Sequence, residues 1–366
     1  MPAPGVEWTG VERRRLVVSG RETGVVAALA SALLFGMTTP IAKQLLGGTQ
    51  PLLIAGLLYL GSGVGVSILR VVQDRGWSAT GLAPRDWPWL ALTTLVGGII
   101  APALLMAGLA RADAASASLL LNLEVVFTAA LAWLVFSEPA NPRVVWGLAA
   151  IFAGGLILVG PARFSADHDL VALALIVAAC LCWALDNNLT RKVSAGDARV
   201  LAAIKGLVAG VTNVALAVSL GAALPAVAHV AATLLLGFSG YGLSLVLFIV
   251  ALRHLGTART GAYFATAPFI GAAVAMVLSG ASGDAAFWAA AVCMGVGVWL
   301  HVTESHEHEH THEPLQHSHA HTHDEHHQHT HPFPWNGAEP HTHAHAHGGL
   351  RHSHAHFPDI HHRHGH

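Results

Sequence analysis

Charge is what this sequence has least of. Only 11% of its 366 residues are Asp, Glu, Lys or Arg, against roughly 25% in a soluble globular protein. The shortage is concentrated, because residues 304–366 are hydrophilic and leave the deficit to a body over about residues 24–303. Such a body would aggregate in water and belongs in a bilayer, in keeping with a mean hydropathy of +0.53. Cysteine is nearly absent too. Cys180, Cys182 and Cys293 all lie in apolar stretches, so no disulfide framework is indicated and small buried helix residues are expected instead. No basic patch interleaved with aromatics exists, and nothing points to nucleic acid. There is no nucleophile elbow, phosphate-cradling glycine loop or His-Glu-x-x-His pair, which makes an enzyme the weakest reading. No cofactor is required.

Long apolar runs are abundant. A membrane-crossing helix needs about 20 such residues. Ten runs qualify, near 24–45, 51–72, 87–110, 114–136, 142–161, 169–190, 198–220, 226–251, 258–279 and 284–303. Turn signals divide them, among them Gly47-Gly48, Asp74-Arg75-Gly76, Arg111-Ala112-Asp113 and Pro139-Ala140-Asn141-Pro142. The first run has full span length and no convincing small-residue cleavage site, so it is expected to remain as a helix. Ten spans put the N-terminus, the even-to-odd loops and the C-terminus on one side. Fifteen of the 19 basic residues fall there; Lys43, Arg111 and Arg163 fall opposite, and Lys205 lies inside a span. Without Arg351 and Arg363 of the tail the bias is still 13 to 3. The positive-inside rule then makes both termini cytoplasmic, in an inner or plasma membrane.

The two halves echo each other at an offset of 143: Leu109, Ala115, Ala129, Ala130, Ala132, Gly154 and Val159 recur as Leu252, Ala258, Ala272, Ala273, Ala275, Gly297 and Val302. Five spans per half is an odd number, so the second half would be inverted, a recurring plan of secondary transporters with the site near the midplane. The run Ser118–Glu124 leads on to Phe127-Thr128 and Phe136-Ser137-Glu138; the second half carries Cys182–Lys192 and Ala251–Tyr263, leading to Ala267-Pro268. In these runs the chain resembles the ten-span EamA-type members of the drug/metabolite transporter superfamily. It departs from them at Val125, where the first repeat more often has a small residue or proline; Pro268 holds the matching place in the second. The resemblance implies an all-α membrane protein of ten transmembrane helices as two inverted five-helix repeats around a cavity, exporting metabolites, amino acids or drugs. Residues 1–23 would be a cytoplasmic segment, 24–161 and 169–303 the two repeats, and 304–366 a tail.

An ionisable residue in mid-span costs about 2.5–3.5 kcal/mol on insertion scales, so each needs a reason. Glu124 lies near the centre of the fourth span, two residues after Asn122, and its repeat counterpart is Ala267. It reads as a proton- or cation-coupling carboxylate or a contact for a substrate amine; the bland alternative is a helix–helix hydrogen bond. Lys205 in the seventh span and Asp186 in the sixth, followed by Asn187 and Asn188, lie at similar depth. They could form a structural ion pair or a gate or substrate contact, or Lys205 could reach Glu124. Trp183, Tyr241 and Tyr263 are candidates to line a cavity, or are packing residues. Gly206 and Gly210 read as a close-packing face.

Histidine is concentrated at one end, 24 of 27 lying between His301 and His366. They step as His-x-His: His306, His308, His310, His312; His317, His319, His321, His323; His341, His343, His345, His347; His352, His354, His356. Neutral imidazole ligates Zn, Ni and Co, and four to six ligands per ion would let the tail hold several ions. With few apolar residues to bury, the tail is expected to be disordered. The expected function is a gradient-driven permease that exports, or alternatively imports, a small polar metabolite by alternating access. The alternatives are a transition-metal (Ni/Co/Zn) permease or efflux protein, or a metal-responsive membrane regulator. Expected partners are the lipid bilayer, a small-molecule substrate and divalent transition metals at the tail; assembly as a homodimer is open. A green fluorescent protein fused after Thr303 should fluoresce and alkaline phosphatase at the same point should be inactive; the reverse pattern would invert the topology.

Overall fold

The computed structural model describes residues 10–74, 82–136, 142–159, 170–190, 197–280, 282–303, 306–312, 315–321, 341–347 and 350–356. The chain divides into two units, Met1–Glu304 and Ser305–His366. Arg75, Ser137, Glu138, Arg163, Arg191, Lys192 and His323 lie outside the described residues.

In the first unit the described residues are helical, and their ends fall where backbone chemistry dictates. Helix α1 (Gly10–Leu45) is followed by α2 (Pro51–Gln73), which opens on a proline whose missing N–H costs nothing in a first turn. The third span is built of α3 (Trp87–Thr93), a π-helical turn π1 (Thr94–Ile100) and α4 (Ala101–Leu109). Lys43 Nζ donates to the last carbonyls of this span, Leu109 O at 2.7 Å and Ala110 O at 3.0 Å, offsetting the negative end of the helix. Asp113 caps α5 (Ala114–Leu120) by accepting from Ser116 N at 2.7 Å. Then come α6 (Leu123–Phe136), α7 (Pro142–Val159) and α8 (Leu170–Thr190). Asp197 caps α9 (Ala198–Ser219) through Arg199 N, and Asp284 caps α13 (Ala285–Val302) through Phe287 N. Between them lie α10 (Val227–Gly237), a second π-helical turn π2 (Phe238–Leu243), α11 (Ser244–Phe264) and α12 (Ala267–Ser279), the last ended by left-handed Gly280.

Among the described residues seven helices are long and apolar enough to cross a membrane, and three shorter apolar ones cover Val145–Leu158, Ala267–Ser279 and Ala285–Leu300. One expected boundary is corrected. The eighth and ninth runs were expected to separate between 251 and 258, yet α11 continues through them as one helix. Gly256 weakens a helix by only about 1 kcal/mol, whereas Pro268 removes an N–H and clashes with the preceding turn. The backbone breaks there instead, at Ala265-Thr266. The fourth run breaks likewise at Leu121-Asn122. Both breaks and both π turns therefore recur about 143 residues apart.

The packing is reciprocal. Helix α1 lies against α11 and α12, α8 against α4 and α6, α2 against α9, and α7 against α13. The α2–α9 contact is backbone on backbone: a Cβ at Gly63 would meet Gly206 and Leu207, and one at Gly210 would meet Leu60. Apolar surface in lipid gives helices no hydrophobic reason to associate, so close approach through small residues carries the contact.

In the second unit the described residues lie in two two-stranded ladders. Strand β1 (His306–His312) pairs antiparallel with β4 (Leu350–His356), and β2 (Leu315–His321) pairs with β3 (His341–His347). Low apolar content rules out a packed core but not ladder hydrogen bonding, and a His-x-His pattern has the two-residue period of a strand.

Replacing Gly206 by Leu should lower the thermal midpoint in detergent, since overpacking costs typically 1–3 kcal/mol and backbone cannot step aside. Gly261→Ala, where nothing stands within 4 Å of the added methyl, should leave it unchanged or slightly raised.

Candidate substrate site

Four elements bring the intramembrane polar residues together. The first turn of α6 presents Glu124, and the second half of α8 presents Trp183, Asp186, Asn187 and Asn188. Asn187 Nδ2 donates to Glu124 Oε1 at 2.8 Å and to Thr128 Oγ1 at 3.5 Å. One residue on, Asn188 Nδ2 donates to the Thr128 carbonyl at 3.1 Å and to Ala184 O at 2.9 Å. Two amides thus tie α8 to α6. Glu124 is half-buried and accepts from a neutral amide, while Asn188 Oδ1 is a buried acceptor with no hydrogen-bond partner among the described residues.

The second focus is ionic. Lys205 Nζ of α9 donates to both Asp186 oxygens at 2.6 Å, with side-chain exposures of only 18% and 10%. Asp186 also accepts from Thr190 Oγ1 at 3.0 Å. Of the pairings left open by the sequence, the structure adopts the one between neighbouring helices. An ammonium and a carboxylate so placed offset most of each other's burial cost, but removing one strands the other.

Between the two foci stands π1. The wide π turn leaves carbonyls outside the regular ladder. Gly97 O accepts from Tyr59 Oη of α2 and from Trp183 Nε1 of α8, both at 3.0 Å, and Ile99 O accepts from Asn213 Nδ2 of α9 at 3.1 Å. A Cβ at residue 97 would run into the Asp186 carboxylate, so only glycine lets the ion pair lie against this turn. Tyr241 of π2 stacks tilted on Tyr59 at 5.4 Å and edge-on to Phe35 at 5.9 Å.

Six of the eight residues expected to form a site therefore meet: Glu124, Asp186, Asn187, Lys205, Trp183 and Tyr241. Asn122 does not join them. It is 2% exposed and donates to Leu119 O at 3.0 Å, bridging the helix break, and to Met294 Sδ. Tyr263 packs elsewhere, against Ala27, Ala28 and Ala251. Tyr59, Gly97 and Thr128 were missed. Tyr59 carried a signal, as one of only three tyrosines and set in the middle of an apolar run.

A second charged cluster joins the end of α2 to the start of α9. Arg70, 7% exposed, lies 3.5 Å from Asp74 and 3.8 Å from Asp197, and Arg199 lies 3.2 Å and 2.9 Å from the same two carboxylates. Burial raises the Asp197 carboxyl, but hydrogen bonds from Arg199 and the charges of Arg199 and Arg70 outweigh it and hold it below the usual range.

A sequence profile of the EamA-like transporter family matches residues 22–160. A Pseudomonas aeruginosa protein, named as a probable 4-amino-4-deoxy-L-arabinose-phosphoundecaprenol flippase subunit ArnE, is 37% identical over 107 residues, covering 29% of this chain and 89% of that one. The chain belongs to the EamA-like transporter family. An uncharacterized transporter of Methanothermobacter thermautotrophicus is 28% identical over 271 residues, 70% of this EamA-type chain and 79% of the relative. A solved crystal structure shares the fold, with a TM-score of 0.58 at 18% identity over 76% of this chain and 96% of that one. The protein is thus a multi-pass membrane transporter of a small substrate, and the polar cluster of α6, α8, α9 and π1 lies in its membrane unit.

Asp186→Asn in this EamA-type protein should destabilise it by about 3–5 kcal/mol, by leaving Lys205 charged and unpaired. Adding Lys205→Met should recover most of that loss in a detergent melt; a double variant as unstable as the single one would show that the pair is not what Asp186 contributes.

Proposed function

We propose that this EamA-type protein is a gradient-driven permease exporting a small polar metabolite that carries an amine, by alternating access between two inverted five-helix halves. The observation that carries the reading is the balance of charge around Glu124. Among the described residues the cluster holds two carboxylates and one ammonium, and that ammonium is committed to Asp186. Glu124 is left with a neutral amide donor, in a setting where an unpaired charge is costly. A proton or a substrate ammonium is what such a site accepts, and the unpartnered Asn188 Oδ1 suits a further donor. An amine also figures in the sugar named for the Pseudomonas relative.

Alternating access needs two halves that can exchange arrangements. The recurrence of breaks and π turns about 143 residues apart supports that plan, as does the packing of α2 on α9 and α7 on α13, each the other's counterpart. With the three short apolar helices counted as crossings the body has ten spans, both termini cytoplasmic. The ion pairs of Arg70, Asp74, Asp197 and Arg199 would then close the cytoplasmic end of α2–α9 and part when that side opens. The tail binds Zn, Ni or Co in this reading, as a modulator rather than a carrier. The described residues bring no three His, Cys, Asp or Glu side chains together as a metal site, and a half-buried carboxylate suits an ammonium better than a soft metal ion.

Everted vesicles offered a panel of radiolabelled amines and amino sugars test this. At least one should accumulate when a proton gradient is imposed, and Glu124→Gln at equal expression should lose that accumulation by at least about 10-fold, since a hydrogen bond to a charged group contributes about 1.5–3 kcal/mol. Undiminished flux in Glu124→Gln would overturn the role of the carboxylate. Flux of nickel, cobalt or zinc without flux of any amine would favour the metal permease.

A further inference from the structure

We propose that the ammonium of the substrate passes through a second subsite, formed by the hydroxyls of Thr39 and Ser118 in the half opposite Glu124. The inference rests on the permease reading above and adds a second station on the same path. The two halves correspond contact by contact. An offset of 143 takes Gly97 of π1 to Gly240 of π2, and one of 148 takes Thr38 of α1 to Asp186 of α8. A Cβ at Gly97 would meet the Asp186 carboxylate, and one at Gly240 would meet the Thr38 hydroxyl. The same two offsets pair Phe35 with Trp183, Thr39 with Asn187 and Ala267 with Glu124. Helix α12 lies against α1 as α6 lies against α8.

At the place that corresponds to Glu124 and Asn187 there is a cavity. Among its lining residues are Phe35 and Thr39 of α1, Ser118 of α5 and Ala267-Pro268 at the start of α12, and it has room for about one water-sized group. Thr39 is 6% exposed, Ser118 1% and Ala267 0%, whereas Asn187 is exposed and Glu124 half-buried. A methyl group at 267 leaves the room that a longer side chain takes up at 124.

The lining selects a hydrogen-bond donor. Ser118 Oγ gives its proton to Ala114 O at 2.7 Å, so only its lone pairs are left to offer. Gly36 also lines the cavity, and Pro40 has no N–H to give the Gly36 carbonyl. Thr39 adds a hydroxyl that accepts as well as donates. A carboxylate would find little to donate to it there, whereas an ammonium brings three donors of its own. No lining residue is charged, so an ammonium gains hydrogen bonds but no ion pair and is held more loosely than at Glu124. Exchange of the two arrangements would cover Glu124 and uncover Thr39. An amine taken up at the carboxylate is then handed to a weaker station and released.

The test uses the full chain in proteoliposomes with Ala267→Cys, in a background of Cys180→Ala, Cys182→Ala and Cys293→Ala, so that the remaining thiol stands in the cavity. The probes are two thiol reagents, aminoethyl methanethiosulfonate, which carries an ammonium, and its neutral analogue propyl methanethiosulfonate. The ammonium reagent should react faster by at least about 10-fold, relative to the same ratio in the unfolded chain, because its hydrogen bonds come from a charged group. Thr39→Val with Ser118→Ala should abolish that preference, and Glu124→Gln should keep it. In everted vesicles Thr39→Val with Ser118→Ala should slow accumulation of an amine from the panel by at least about 10-fold. An absent preference, or one lost in Glu124→Gln, would overturn the second station and leave the permease reading intact. So would amine flux that is lost in Glu124→Gln but undiminished in the Thr39→Val, Ser118→Ala protein. Absence of any amine flux in the wild type would overturn both.

Discussion

An ammonium inside an apolar body must find a partner, and here Lys205 has Asp186. That requirement orders much of the surrounding structure. The pair sets the facing sides of α8 and α9, and it fits only because residue 97 has no side chain to fill the space. The π turn that carries Gly97 in turn gives its carbonyl to Tyr59 and Trp183, fastening α2 and α8 to the same point. With Lys205 so engaged, Glu124 is left with the neutral amide of Asn187. The proposed transport role of Glu124 rests on which charge is already satisfied rather than on how many charges there are.

The frame around this cluster is held by geometry more than by hydrophobic force. Helices in lipid gain little from burying leucine, so Gly56, Gly63, Gly206 and Gly210 bring α2 and α9 into backbone contact. Regular helix would close over the site and leave no backbone groups facing it. Instead two π turns and two breaks, each recurring about 143 residues apart, interrupt the helices, and carbonyls freed at the first π turn are satisfied by side chains such as those of Tyr59 and Asn213.

Much of this was legible in the sequence, and the reasons are specific. Apolar run length located the long apolar helices, and the turn signal Arg111-Ala112-Asp113 fell where Asp113 caps α5, because a carboxylate there accepts an orphan N–H. Intramembrane charges singled out Glu124, Asp186 and Lys205, since few residues tolerate that setting without cause. Gly97 escaped notice because its contribution is a backbone carbonyl and an absent side chain, neither of which has a compositional trace. Asn122 misled for the opposite reason: a polar residue beside Glu124 looks like a ligand, but the break in the helix claims its amide.

Carbodiimide labelling of the intact protein, read by mass spectrometry, tests the division of labour between the two carboxylates most directly. A hydrophobic carbodiimide reacts with a carboxyl group that can hold a proton within the membrane, and a carboxylate locked to an ammonium is protected. The account predicts modification of Glu124 and not of Asp186 in the wild-type chain, with Asp186 becoming reactive in Lys205→Met. Labelling of Asp186 in the wild type, or an inert Glu124, would contradict it.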